Sequence, residues 1–247
     1  MLYYFSGTGN SRLVCELLAE HLGDRCCSMV RPLEGRDGAI GLVFPIYAWG
    51  MPDVVQAFIE NTLPRLVGDG RKYIYAVMTC GDDIGYADVL LRKALAKGSL
   101  SLSAAFSVQM PNTYVCLPGF DVDSVALAGR KLDAMRMAVP EMAGHIVRRE
   151  EMVSVVRGDG AWLKTYILRP LFNLFLTGDG HFKVTPALCI GCGKCAAHCP
   201  VGNIRMSDAT HQPQWQGKCA GCLGCYHVCP MKAIQYGRFT KGKGQKK

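Results

Sequence analysis

The chain has 247 residues, of which 49% are hydrophobic and 19% charged, a balance that builds packed cores and excludes a disordered or fibrous protein. The formal charge of +8 raises nucleic acid as a partner, but four of the lysines fall in the terminal KGKGQKK, so residues 239–247 are expected to form a disordered basic tail. The length leaves room for more than one folding unit.

The opening MLYYFSGTGN carries no charged n-region, apolar core or cleavage site, which leads to the expectation of a cytoplasmic protein. Residues 2–5 read as a short buried strand running directly into Ser6, Gly7, Thr8, Gly9, Asn10 and Ser11. An apolar-periodic helix follows from about residue 11 to residue 22. Strand, polar glycine turn and helix form an anion site, because helix N-terminal amides and nearby hydroxyls can bind a phosphate without any lysine. A Walker A loop needs Gly-Lys-Ser/Thr at its end, and a dinucleotide fingerprint needs glycine at position 12, where Arg12 stands. What remains is a phosphate held by neutral groups.

Residues 40–44 read as a further strand, ending in Pro45, Ile46, Tyr47, Ala48, Trp49, Gly50, Met51 and Pro52. An aromatic pair in such a loop suits a flat ring that must be stacked and shielded. Residues 73–79 form the next strand, with Thr79, Cys80, Gly81, Gly85 and Tyr86 at or beyond its end and a helix from there to about residue 97. In a doubly wound parallel sheet of order 2-1-3-4-5, the three loops all fall at the carboxyl ends, where ligands bind. Residues 123–139 are helix-periodic and close the sheet, and Pro140 is expected to break or restart that helix. The first domain is therefore an α/β domain over residues 1–150.

Residues 161–177, AWLKTYILRPLFNLFLT, are the most hydrophobic stretch of a connector over residues 151–180. Lys164, Arg169 and Pro170 interrupt it well short of the ~20 apolar residues of a membrane span, so it reads as packing between two domains. Cys15, Cys26, Cys27, Cys80 and Cys116 are expected to be small packing residues.

The remaining eight of the thirteen cysteines repeat one spacing. Cys189, Cys192, Cys195 and Cys199 are followed by Pro200, and Cys219, Cys222, Cys225 and Cys229 by Pro230, thirty residues later. Three thiolates at x2 intervals followed by x3 and Cys-Pro make the ligand run of a 4Fe-4S cluster, in which the fourth cysteine serves the other cluster. Cys189, Cys192, Cys195 and Cys229 are thus assigned to one cluster, and Cys219, Cys222, Cys225 and Cys199 to the second. Gly191, Gly193, Gly221 and Gly224 allow the tight turns. Zinc knuckles use paired C-x2-C instead, and disulfides need an oxidising compartment. Two oxidised clusters with their thiolates add about −4 of charge, which weakens the case for nucleic acid. His198 and His227 stand at non-ligand positions and are expected at the surface. Residues 181–238 form a small α+β unit carrying both clusters.

The repeat resembles bacterial-type ferredoxins with two 4Fe-4S clusters. FSGTGNS followed by FPIYAWGMP, together with the Pro-Asn-Thr-Tyr stretch ending at Tyr114 and the run RPLFNLFLTGDGHFKVT, resembles a family of electron-transfer proteins in which a flavodoxin-like domain precedes such a ferredoxin. The resemblance spans nearly the whole chain. It implies FMN on the loops Ser6 to Ser11, Pro45 to Gly50 and Thr79 to Tyr86, and electron transfer between FMN, the clusters and an unidentified soluble redox protein or small acceptor of an anaerobic metabolism. The alternative is a flavin-dependent reductase acting on a small-molecule acceptor or a nicotinamide donor. Neither nucleic acid nor a transmembrane segment is expected.

Overall fold

The computed structural model describes residues 1–34, 38–68, 72–175 and 177–246. Six strands, β1 (Leu2–Tyr4), β2 (Cys26–Ser28), β3 (Ala39–Pro45), β4 (Tyr73–Cys80), β5 (Ala104–Gln109) and β6 (Met152–Ser154), pair in the order β2-β1-β3-β4-β5-β6. Every pairing is parallel. β4 lies at the middle and is buried along its whole length, as a parallel strand covered by helices on both faces must be. The register sets Gly41 opposite Tyr75, and a Cβ at Gly41 would stand 2.6 Å from that buried ring.

One face is covered by α1 (Asn10–Leu22), which contributes Val14 and Leu18, and by the long helix that follows β5. The other face is covered by α2 (Asp53–Asn61), α3 (Leu63–Val67) and α4 (Ala87–Lys97), through residues such as Phe58, Leu63 and Leu91. This is the flavodoxin-like doubly wound order, with β6 added at the edge from residues the connector was expected to hold. The helix after β5, α5 (Val125–Val147), runs straight through Pro140. Pro140 is exposed, while Met135, Val139, Met142, Ala143 and Ile146 pack on the sheet. Burial on both sides of the proline outweighs its lost backbone bond, and the ring lies on the solvent side.

The connector continues through α6 (Ala161–Leu163), a wide helical turn at Lys164–Leu168 and α7 (Arg169–Phe175). Only part of it packs. Thr165 is buried and its hydroxyl accepts the Tyr86 N–H at 2.9 Å, and Lys164 pairs with Asp83 at 2.6 Å. Trp162, Leu163, Leu171, Leu174 and Phe175 are exposed, so the expectation of a segment buried between domains holds for one side alone. No helix among the described residues is long and apolar enough to cross a membrane.

The C-terminal unit pairs β7 (Phe182–Val184) with β10 (Ile234–Tyr236), and β8 (Ile204–Met206) with β9 (Pro213–Trp215), both antiparallel. Its short helices α8 (Lys194–His198) and α9 (Gly224–Val228) begin thirty residues apart, as β8 and β10 do, so the sequence repeat is a structural one. Its core also takes in Val115 and Cys116 from the loop after β5. The two units therefore share a core at their junction. Residues 239–246 are not a loose tail: Lys243 donates to the Leu117 and Phe120 carbonyls, and Gln245 to those of Tyr226 and Cys229. The loop at 117–120 and the end of α9 present the backbone carbonyls that the tail's side chains reach, partners that composition could not reveal.

Thr165→Val keeps the shape of the side chain but leaves the Tyr86 N–H without its acceptor. It is expected to cost about 1–2 kcal/mol, read as a lower denaturant midpoint with unchanged slope.

Candidate functional site

A cavity of about 390 Å³ opens at the carboxyl ends of β1, β3, β4 and β5, within the usual range of small-molecule sites. Of the residues expected from sequence, Ser6, Gly7, Thr8, Asn10, Ser11, Pro45, Ile46, Tyr47, Thr79, Cys80 and Gly81 line it. The loop before α1 is stitched in place. The Gly9 N–H donates to Ser6 Oγ at 3.1 Å, Asn10 Nδ2 donates to the Pro111 carbonyl at 2.8 Å, and the Ser11 and Thr79 hydroxyls meet at 2.7 Å. Ser11 is fully buried by that bond, so it ties α1 to β4 rather than offering a free hydroxyl to an anion. The first-turn amides of α1 have no helical partners and supply the positive end of the helix dipole beside Thr8.

Trp49, Gly50, Gly85 and Tyr86 do not line the cavity; they seat the connector. A Cβ at Gly50 would lie 2.2 Å from the Arg169 guanidinium, and one at Gly85 would lie 2.5 Å from Thr165 Oγ1. Lys164 sits 5.8 Å above the Trp49 ring, and Arg157 5.3 Å above that of Tyr86. Gly50 and Gly85, expected on the FMN loops, admit these side chains instead. Arg169 spans the gap and donates to the Met51 carbonyl at 3.0 Å, while its burial pulls its pKa down.

Sequence reasoning missed the remaining walls. Asn112, Thr113 and Tyr114 come from the loop after β5, Phe172 from α7, and Cys219, Cys222 and Leu223 from the C-terminal unit. Tyr114 packs on Phe172 at 5.8 Å, and its hydroxyl is buried with no partner among the described residues, a polar atom that a ligand in the cavity would satisfy. The signal for this wall lay in the Pro-Asn-Thr-Tyr stretch, which carries no periodicity of its own.

The crossed assignment sets Cys189, Cys192, Cys195 and Cys229 against Cys199, Cys219, Cys222 and Cys225. Cys189, Cys192, Cys195 and Cys229 surround one small pocket. Cys199, Cys219 and Cys222 all act on Cys225, raising its pKa on top of burial, and burial pushes Cys222 up to about 12. A bound metal would favour the thiolate form of such buried cysteines. Among the described residues no three Cys, His, Asp or Glu side chains converge as on a single metal ion. Backbone amides donate to sulfur in both sets, from Asn203 to Cys199 at 3.2 Å, Gly221 to Cys219 at 3.4 Å, Gly224 to Cys222 at 3.5 Å and Ala233 to Cys229 at 3.3 Å. Gly191, Gly193 and Gly221 take the left-handed turn expected of them, but in the second repeat that position falls to Leu223 at φ 58°. Such strain costs about 1–2 kcal/mol and here shapes a wall of the larger cavity.

The two halves of the site touch at Gly7. A Cβ there would stand 2.1 Å from Cys222 Cβ, and one at Gly224 would meet the Gly7 carbonyl at 2.5 Å. His198 Nε2 reaches that same carbonyl at 2.9 Å, and His227 Nε2 reaches the Thr113 carbonyl at 2.8 Å. Both histidines clamp the cysteine helices to the loops of the first domain; His198 stays exposed as expected, while His227 is half-buried and burial lowers its pKa. Tyr47 completes the contact, its phenol pKa raised by burial and then by Cys222 and Cys219.

Residues 182–236 match the family model described as a 4Fe-4S dicluster domain, so the C-terminal unit is an iron-sulfur ferredoxin domain. A stretch of 47 residues is 45% identical to one subunit of the ion-translocating oxidoreductase complex of Methanosarcina acetivorans, covering 19% of this chain and 17% of that protein. The chain thus matches under a fifth of that relative's length. Among solved structures, the rubredoxin oxygen:oxidoreductase of the anaerobe Desulfovibrio gigas aligns with a TM-score of 0.39 at 14% identity, over 60% of this chain and 36% of that one. The Trp repressor binding protein of Bacillus subtilis aligns with a TM-score of 0.36 at 13% identity, over 55% and 96%.

Gly7→Ala drives a methyl group into Cys222. The change is expected to destabilise the iron-loaded protein by about 1–3 kcal/mol, the usual cost of overpacking, measured by anaerobic denaturant unfolding; wild-type stability would mean that the loops do not meet.

Proposed function

We propose that this chain is an electron carrier that binds FMN in the large cavity and two 4Fe-4S clusters on the crossed thiol sets, exchanging electrons with a soluble redox protein or a small acceptor. The observation that carries the proposal is the sharing of one cavity by the polar loop at Ser6 to Ser11, Tyr47 and the thiols Cys219 and Cys222. FMN would supply chemistry that accepts electrons in pairs or singly, which joins two-electron donors to one-electron clusters.

The residues divide that task. Thr8, Asn10 and the start of α1 offer neutral donors and a helix dipole to the phosphate. Tyr47, Ile46 and Tyr114 give the ring apolar faces, and Thr79, Gly81 and Asn112 bring polar atoms to its rim. Bonds from backbone amides to sulfur in both sets favour the reduced clusters by offsetting thiolate charge. Of the set Cys199, Cys219, Cys222 and Cys225, Cys219 and Cys222 line the cavity proposed for the flavin. The other set faces outward, with Cys192 exposed beside the exposed apolar Leu188, Ile190 and Met231, and is the side suited to a partner.

Anaerobically reconstituted protein is expected to hold about eight iron atoms and about one FMN per chain. Iron near four would remove one cluster, and FAD in place of FMN would contradict the phosphate loop. Cys199→Ala and Cys225→Ala are expected to damage one cluster, and Cys195→Ala and Cys229→Ala the other, read from the paramagnetic spectra of the reduced proteins. Grouping of Cys199 with Cys195 would overturn the crossing. Steady turnover with NADH or NADPH and no protein partner would favour a reductase.

A further inference from the structure

The loop at Ser6 to Ser11 contains no cation of its own, and the next one in sequence, Arg12, is held by Glu16 at 2.6 Å. The missing charge arrives from the other end of the chain. Lys246 Nζ donates to the Thr8 carbonyl at 2.8 Å and to Asn10 Oδ1 at 2.6 Å; both of these residues line the cavity, and Lys246 stands just behind them, outside the lining itself. Its position is built: the Lys246 N–H donates to His227 Nδ1 at 3.0 Å, and Gln245 Nε2 donates to the Cys229 carbonyl at 2.9 Å. Yet its ammonium is half-buried against neutral oxygens, and no ion pair holds it among the described residues. Burial accordingly lowers its pKa. A desolvated cation with neutral partners alone is poorly compensated, and an anion beside it corrects the deficit.

We infer that Lys246 is the phosphate-recognising cation of the flavin site, delivered by a strap from the iron-sulfur unit that closes over the loop before α1. The inference rests on the FMN reading above and adds to it a specificity: the strap selects the phosphorylated flavin over riboflavin, which shares the ring and lacks the charge. It also makes flavin retention depend on a segment anchored to α9, so the two redox units are assembled together.

The test measures FMN and riboflavin affinities of the iron-loaded protein anaerobically, for wild type, Lys246→Gln, Lys246→Met and Lys246→Arg. Iron content reports whether each variant is folded, and the two neutral variants, differing in shape, guard against misfolding of either. Loss of the charge is expected to weaken FMN about tenfold or more, the weight of one charge-assisted hydrogen bond, to leave riboflavin unchanged, and to be largely reversed in Lys246→Arg. Equal weakening of both flavins would reduce Lys246 to a prop for the loop and overturn the inference, as would unchanged FMN affinity. Wild-type protein that binds riboflavin but not FMN would overturn the inference and the phosphate loop together, and binding of neither flavin would remove the FMN reading itself.

Discussion

The approach of Gly7 to Cys222 is the constraint on which the rest of the molecule depends. A backbone without a side chain at position 7 lets the cysteine loop of one unit lie directly on the polar loop of the other, where a single methyl group would overlap it by well over an ångström. Everything around that contact serves to hold it. Gly224 gives way to the Gly7 carbonyl, His198 bonds to it, and Leu223 accepts a left-handed backbone so that the same stretch can turn beside it. Electron transfer requires redox groups to be close and their surroundings rigid. A junction made of backbone, two histidines and a shared apolar core provides both.

The connector and the tail act on the same junction from opposite sides. The connector docks on the strand-end loops through Lys164, Thr165 and Arg169, adding Phe172 to the cavity wall, while leaving an apolar outer face. The tail runs along α9 and ends with a lysine on the loop before α1. Beyond β6 and Val155 neither segment adds to the sheet core, yet both enclose the site, which is how a small ferredoxin domain gains a fixed place on a larger one.

Much of this was legible in the residues. Parallel strands ending in Gly-rich loops, a polar turn opening α1 and the repeated cysteine spacing are local patterns, and each predicted its element. What failed to show was long-range. Trp49 and Tyr86 carried the marks of ligand aromatics, but the connector claims them, over more than a hundred residues of separation for Trp49 and Lys164. Pro140 marked a break that packing on both flanks overrode. His198 and His227 had no periodic context, and their roles follow from carbonyls that only the fold brings near. The tail's composition pointed to disorder because lysine and glycine cannot build a core, although the tail's side chains can bridge carbonyls that another element presents.

The central claim is that the flavin cavity and one particular set of thiols form a single redox site, while the other set stands apart. Electron paramagnetic resonance of the reduced, iron-loaded protein before and after removal of FMN tests it most directly. One of the two cluster signals, the one lost in Cys225→Ala, is expected to change when FMN leaves, and the other to stay as it was. A spectrum indifferent to FMN, or one in which the signal lost in Cys195→Ala responds instead, would contradict the account.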